Sequence, residues 1–222
     1  MDQPVKTQYL SYSQSRTLLL DLLKNKTFNL ETNKKRTILI GYKESKKMFQ
    51  FHLPPIFHYI DDSLLQNPSI PEDPENYYII LIQAGHSALA YCENGMILLH
   101  KVITKYMVRK GQGKAQISYL KTKGKSRAGS RIRLAKSIEF FEEINDKLTD
   151  WFKEKGDAKI LYSCPVTLWP LLFDSKISPP FKKKGDHLIR IPLDVNKPCF
   201  SELQRINPVL SRGQIEIYEV LL

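Results

Sequence analysis

Between Lys101 and Lys136 the chain has no Asp and no Glu, while twelve Lys or Arg fall in the same stretch. With those twelve set aside, 22 of the 34 basic residues stand against 23 acidic ones, a net of −1, so nearly all of the formal charge of +11 sits in this segment. Cations without acidic partners in the chain repel one another, and the commonest partner that neutralises such a block is a phosphate chain. The bland alternative is a solvated basic loop that keeps the protein soluble.

Other absences narrow the function further. The longest apolar stretch, Tyr77 to Ala84, falls far short of the ~20 residues that a membrane-spanning helix needs. No basic amphipathic helix is visible, and Met1-Asp2-Gln3-Pro4 lacks the layout of a signal peptide. No membrane association and a cytoplasmic location are therefore expected. Cysteine is scarce: Cys92, Cys164 and Cys199 are odd in number, widely separated and without a CxxC pair, which supports neither a disulfide framework nor a zinc site. They read as buried thiols. His52, His58, His86, His100 and His187 are scattered with no HExxH arrangement, so no metal or cofactor is expected, and core or surface roles suit each of them.

At 222 residues and 42% hydrophobic content the chain can bury a proper core as one domain of usual size with a smaller appendage. Residues 1–53 read as a small α+β N-terminal unit. Ser11 to Lys24 carries Leu18, Leu19, Leu22 and Leu23 at helical spacing, and Thr37 to Tyr42 and Met48 to Leu53 are strand-like. Residues 54–76, with five prolines among polar and acidic positions, read as a linker. A third region, 77–222, opens with three extended runs, Tyr77 to Gln83, Ser87 to Cys92 and Met96 to Met107. Asn94-Gly95 supplies the tight turn between the last two.

Beyond the basic segment, Ser130 to Lys155 reads as one long helix with Leu134, Ile138, Phe141, Ile144, Leu148 and Trp151 on its apolar face. Ser130 is its expected N-cap and Gly156 its end. Strand, helix, strand, helix and a final strand from Gln214 to Leu221 then follow. A meander succeeded by this alternation predicts an α/β domain with a mixed sheet flanked by helices.

Within the basic segment, Gly111 and Gly113 allow a tight turn and close backbone approach, and loop amides there can face phosphate or an oxyanion. The spacing is not that of a Walker loop, because Gly113-Lys114 is followed by Ala115. Tyr106, Tyr119 and several lysines leave a metal-independent nuclease open. Gln116 does not titrate near neutral pH, so it can orient water or donate hydrogen bonds but cannot act as a general base. The plainer reading is a polar contact.

The run Arg109-Lys110-Gly111-Gln112-Gly113-Lys114-Ala115-Gln116, then Lys123-Gly124-Lys125 and Ala128-Gly129-Ser130, resembles the signature of the Vms-like release factors. The likeness extends from about Tyr77 to Leu222 and takes in Arg190-Ile191-Pro192 and Glu202-Leu203. That family includes eukaryotic ankyrin-and-zinc-finger peptidyl-tRNA hydrolases and stand-alone bacterial members, which this chain resembles more. Its domain is similar to the catalytic domain of eukaryotic and archaeal class-one release factors.

The resemblance implies a sheet of ribonuclease-H type, with the loop projecting into the peptidyl transferase centre of the large ribosomal subunit. It further implies Gln116 as the catalytic residue placing water against the peptidyl-tRNA ester, with the backbone of Gly111, Gly113 and Ala115 around it. RNA contacts are implied for Arg109, Lys110, Lys114, Lys121, Lys123, Lys125, Arg127, Arg131 and Arg133. The expected partners are the ribosome and tRNA or peptidyl-tRNA, with the protein itself a monomer. Lys114 and Ala115 replace the Gly-Gly pair of the standard release factors. Relatives are also linked to cleavage within the tRNA acceptor end, so a ribonuclease and a non-catalytic RNA-binding module stand as alternatives to rescue of stalled translation by ester hydrolysis.

Overall fold

The computed structural model describes residues 3–24, 27–35, 37–57, 69–105 and 128–219, with only the backbone of 128–137. The chain divides into two units. The first takes Met1–Glu75, Glu93–Met96 and Arg205–Leu222, and the second Asn76–Cys92 and Ile97–Gln204.

In the first unit, β1 (Lys6–Leu10), β2 (Asn29–Thr32), β3 (Ile38–Lys43), β4 (Lys46–His52) and β10 (Gly213–Ile217) form an antiparallel sheet in the order β1-β10-β4-β3-β2. Helix α1 (Tyr12–Lys24) turns Leu19 and Leu22 into a core with Leu39, Phe49 and Phe51, as the leucine spacing predicts. The sequence pattern misses β1 and β2 because neither has apolar residues in alternation: β1 buries only Leu10, and β2, Asn29–Thr32, alternates in burial but has Leu30 as its one apolar residue. Of the Pro-rich stretch, the described ends are packed: the Tyr12 hydroxyl donates to the Pro71 and Asp73 carbonyls at 3.0 and 3.2 Å, and Arg16 Nε donates to Ile70 O at 2.8 Å.

The last strand corrects an expectation. It was expected to join the second domain's sheet, yet β10 pairs with β1 and β4, with Gln214 opposite His52 and Ile217 opposite Phe49. Ile215 packs on the first unit's apolar cluster, which anchors the strand there. Alternation alone marks a strand but does not say which sheet it joins.

The second unit holds β5 (Tyr77–Gln83), β6 (His86–Glu93), most of β7 (Met96–Thr104), α2 (Ala128–Lys155), β8 (Lys159–Ser163), α3 (Trp169–Phe173), β9 (Leu188–Arg190) and the start of α4 (Phe200–Leu210). Its sheet runs β7-β6-β5-β8-β9, with β5 antiparallel to β6 and parallel to β8, and β8 parallel to β9. This is the expected mixed sheet flanked by helices. Strand β5 is central and buried on both faces, which explains why Tyr77 to Ile82 is a continuous apolar run rather than an alternating one. The β6–β7 turn is the predicted one, with Asn94 and Gly95 both at positive φ, 48° and 77°.

Helix α2 packs Phe140, Phe141, Ile144, Leu148 and Trp151 into the core formed with Tyr78, Ile80, Leu89 and Ile160. The Tyr78 hydroxyl reaches past the sheet to donate to the Gly156 carbonyl at 2.9 Å and the Trp151 carbonyl at 3.3 Å, which fixes the helix end. Gly156 has φ of 79°, the left-handed geometry that stops a helix. Two details differ from the sequence reading. Phe140 is buried while Ile138 is exposed, and the helix is already formed at Ala128, so Ser130 lies in its first turn rather than at its cap. Leu134 lies outside the described side chains.

Candidate nucleic-acid interface

The basic segment begins on β7 and ends on α2, and one core takes in the described parts of both elements. Ile103, one residue before the end of β7, is buried in the same cluster as Phe140, Phe141 and Ile144 of α2. The Lys105 amide donates to the Gly85 carbonyl at 2.9 Å, tying the strand end to the β5–β6 turn that Gly85 makes with φ of 78°. Glu143 of α2 faces both Lys101, at 3.9 Å, and Lys105, at 3.1 Å. One carboxylate between two ammonium groups leaves an excess of positive charge at the stem. The pairs are solvent-accessible, so each adds at most about 1 kcal/mol to stability.

Of the site residues read from the sequence, Arg109, Lys110, Gly111, Gly113, Lys114, Ala115, Gln116, Lys121, Lys123, Lys125 and Arg127 lie outside the described residues. Arg131 and Arg133 fall in the first two turns of α2 by backbone, with their side chains outside the description. The structure thus describes the stems of the segment and the sheet edge beside them.

That edge is the carboxyl end of the parallel strands. Pairing of Leu81 with Ser163 and of Tyr162 with Arg190 brings the ends of β5, β8 and β9 together, on the side where Gly85 meets Lys105. In open α/β sheets ligands bind outside the carboxyl ends of the strands. Gln83, the last residue of β5, donates from Nε2 to the Val195 and Asn196 carbonyls at 2.9 and 3.0 Å. The Asn196 amide donates to Glu202 Oε1 at 2.7 Å, and its side-chain Nδ2 to Oε2 at 3.4 Å. The buried Glu202 carboxylate therefore fixes the 195–197 segment against the end of β5.

His86 opens β6 beside this segment, with Nδ1 3.4 Å from the Thr104 hydroxyl. Burial, and then the nearby Lys197 ammonium, hold its imidazole below the ordinary histidine range. The His100 ring stacks on Phe200 with centroids 4.1 Å apart. Sequence reading leaves His86 and Lys197 unnoticed as a pair. They lie far apart in the chain with no motif spacing, and only the topology joins them.

The thiols divide by environment. Burial pushes both Cys92 and Cys164 up to about 12, which removes them as nucleophiles. Cys199 is only half-buried, not fully buried as its sequence suggested, and the Ser201 side chain 3.1 Å away and backbone amides lower its pKa. Among the described residues no three His, Cys, Asp or Glu converge as metal ligands would, and no helix is long and apolar enough to cross a membrane.

The family model described as Bacteroidetes VLRF1 release factor matches residues 77–217. The chain belongs to that family. The match takes in both stems, the whole basic segment with Gln116, and the edge that carries His86 and Lys197. The chain is 31% identical over 161 residues to the human protein named tRNA endonuclease ANKZF1, covering 70% of this chain and 22% of that one. To the mouse protein of the same name it is 27% identical over 146 residues, covering 64% and 19%. The chain thus spans about a fifth of the length of these curated relatives. A solved structure described as Vms1 mitochondrial localization core has a TM-score of 0.45 and 14% identity, covering 93% of this chain and 82% of that one.

Proposed function

We propose that the chain is a release-factor-like peptidyl-tRNA hydrolase that enters stalled translation complexes at the large ribosomal subunit and frees the nascent peptide. The observation that carries this reading is the release-factor family match across 77–217, which spans the acid-free basic segment and its Gly111–Gln116 loop. The twelve cations bind phosphates of tRNA and ribosomal RNA. Gln116 holds a water through its amide, and the backbone amides around Gly111, Gly113 and Ala115 face the carbonyl oxygen of the ester. Water attacks the carbonyl carbon, the bond to the ribose 3′ oxygen breaks, one proton of the water goes to that leaving oxygen and the other to solvent, and the peptide departs as a carboxylate. Because Gln116 takes no proton itself, its contribution is orientation, and one positioned group of this kind is worth ~10²–10³ in rate.

A second reading has its own support, since the curated relatives are named tRNA endonucleases. Under it the same loop directs cleavage of a phosphodiester in the tRNA acceptor end. The test is the product formed on purified stalled complexes. Free peptide with intact tRNA supports ester hydrolysis, peptide still joined to a short 3′ fragment supports endonuclease action, and an unchanged peptidyl-tRNA contradicts both.

A further inference from the structure

The edge beside the basic stem carries a pair of groups that the proposed function does not use. His86 on β6 is the strand partner of Gln83, and Gln83 Nε2 donates to the carbonyl of Asn196, the residue before Lys197, so the fold brings the two together although the chain separates them by most of the second unit. Three contacts hold them in place: Lys105 N to Gly85 O at 2.9 Å, Gln83 Nε2 to the Val195 and Asn196 carbonyls, and Asn196 to the buried Glu202. We propose that His86 and Lys197 form a proton-dependent contact for one backbone phosphate of the bound RNA, beside the basic segment. The proposal rests on the RNA-binding reading above and names a contact outside the loop that reading invokes.

The chemistry follows from the groups present. Lys197 is exposed, a compact ammonium able to meet a phosphate oxygen. His86 engages Thr104 through Nδ1, and its Nε2 has no partner among the described residues. Neutral imidazole offers a phosphate at most one N–H, whereas imidazolium donates from both nitrogens and adds charge. The groups around the pair are Thr104 and Lys105 at the end of β7 and Glu202 of α4, whose oxygens take the Asn196 amides, and Asp194 stands three residues before Lys197 in the chain. The ammonium of Lys105 is engaged with Glu143, which leaves Lys197 as the cation that bears on His86.

In the free protein burial and, after it, the Lys197 ammonium disfavour protonation of His86. A phosphate seated between the two reverses the sign, because it neutralises the ammonium and accepts from the imidazolium. His86 is then protonated at a higher pH with RNA bound than without it. RNA affinity rises as pH falls through the bound-state value, and levels off below the free-state value, which lies under the ordinary ~6.5.

The test measures binding of a deacylated tRNA to the full chain at constant ionic strength from about pH 8 down to about pH 5.5, the range in which histidine titrates. Wild type should bind about five- to tenfold tighter at the acidic end. His86→Gln should lose this gain, its affinities at the two ends of the pH range differing by less than about twofold, with an unchanged melting temperature. Lys197→Gln should bind more weakly throughout, and should move the free-state titration of the His86 ring, followed by NMR, upward toward the ordinary value. Inorganic phosphate alone should raise that ring's titration less than tRNA does. The same acid gain in His86→Gln as in wild type would overturn the proposal, and so would an equal shift by inorganic phosphate, which would mark a free-phosphate site. Failure of wild type to bind tRNA at any pH would instead remove the RNA-binding reading, and this contact with it.

Discussion

Asn145 shows how one polar side chain in the core shapes the second unit. It is fully buried on α2, and its Nδ2 lies 2.7 Å from the Leu172 carbonyl, 2.8 Å from Ser175 Oγ and 2.7 Å from the Ile177 carbonyl. The turn after α3 is thereby stitched to the long helix. Removing the amide strands buried acceptors, so Asn145→Ala is expected to lower unfolding stability by about 2 kcal/mol, read from the urea midpoint at unchanged slope. A loss within a few tenths of that of a surface substitution would contradict the role. The thiols give a second residue-scale expectation. With Cys92 and Cys164 buried and pushed up to about 12, neither forms thiolate at neutral pH, whereas the half-buried Cys199 is shifted toward thiolate. A thiol reagent at pH 7.5 should therefore label one cysteine quickly in the native protein and three in denaturant, and rapid native labelling of Cys92 would contradict the buried placement of β6.

At the scale of elements, α2 and β7 share one core, in which Phe140 and Phe141 are buried with Ile103. Phe140→Ala should cost about 3–5 kcal/mol and loosen both stems together, visible as faster amide exchange at Lys105 as well as in the helix. Ser130 carries an opposite expectation from the one its sequence suggested. Within the first turn, Ala is the better helix former, so Ser130→Ala should be neutral or slightly stabilising, and a loss of about 1 kcal/mol would restore the cap reading. Much of this level was legible in the sequence. Leucines at helical spacing marked α1, the apolar run of Tyr77 to Ile82 marked the central strand, and Asn94-Gly95 marked the turn. The elements that escaped lack that signal: β1 exposes four of its five residues, and the placement of β10 beside β4 depends on contacts more than 150 residues away.

On the scale of the whole molecule, charge is the property that binds sequence to function. A segment gripping RNA through about four phosphates should give a slope of log affinity on log salt of roughly −3 to −4, about a hundredfold between 50 and 200 mM salt. Substituting Arg109, Lys110, Arg131 and Arg133 with Gln should flatten the slope, and an unchanged affinity for tRNA and large subunits would show that the block of cations is a solvated face. The basic segment stands out in the sequence because charge asymmetry needs no folding to be seen. The His86–Lys197 pair does not, because sheet topology alone creates it. The most direct measurement is single-turnover peptide release from purified stalled complexes by wild type and Gln116→Ala, each at saturating protein with binding verified. The account predicts equal binding, intact tRNA as the wild-type product, and a release rate ~10²–10³ lower for Gln116→Ala. Equal release by the two proteins would contradict it.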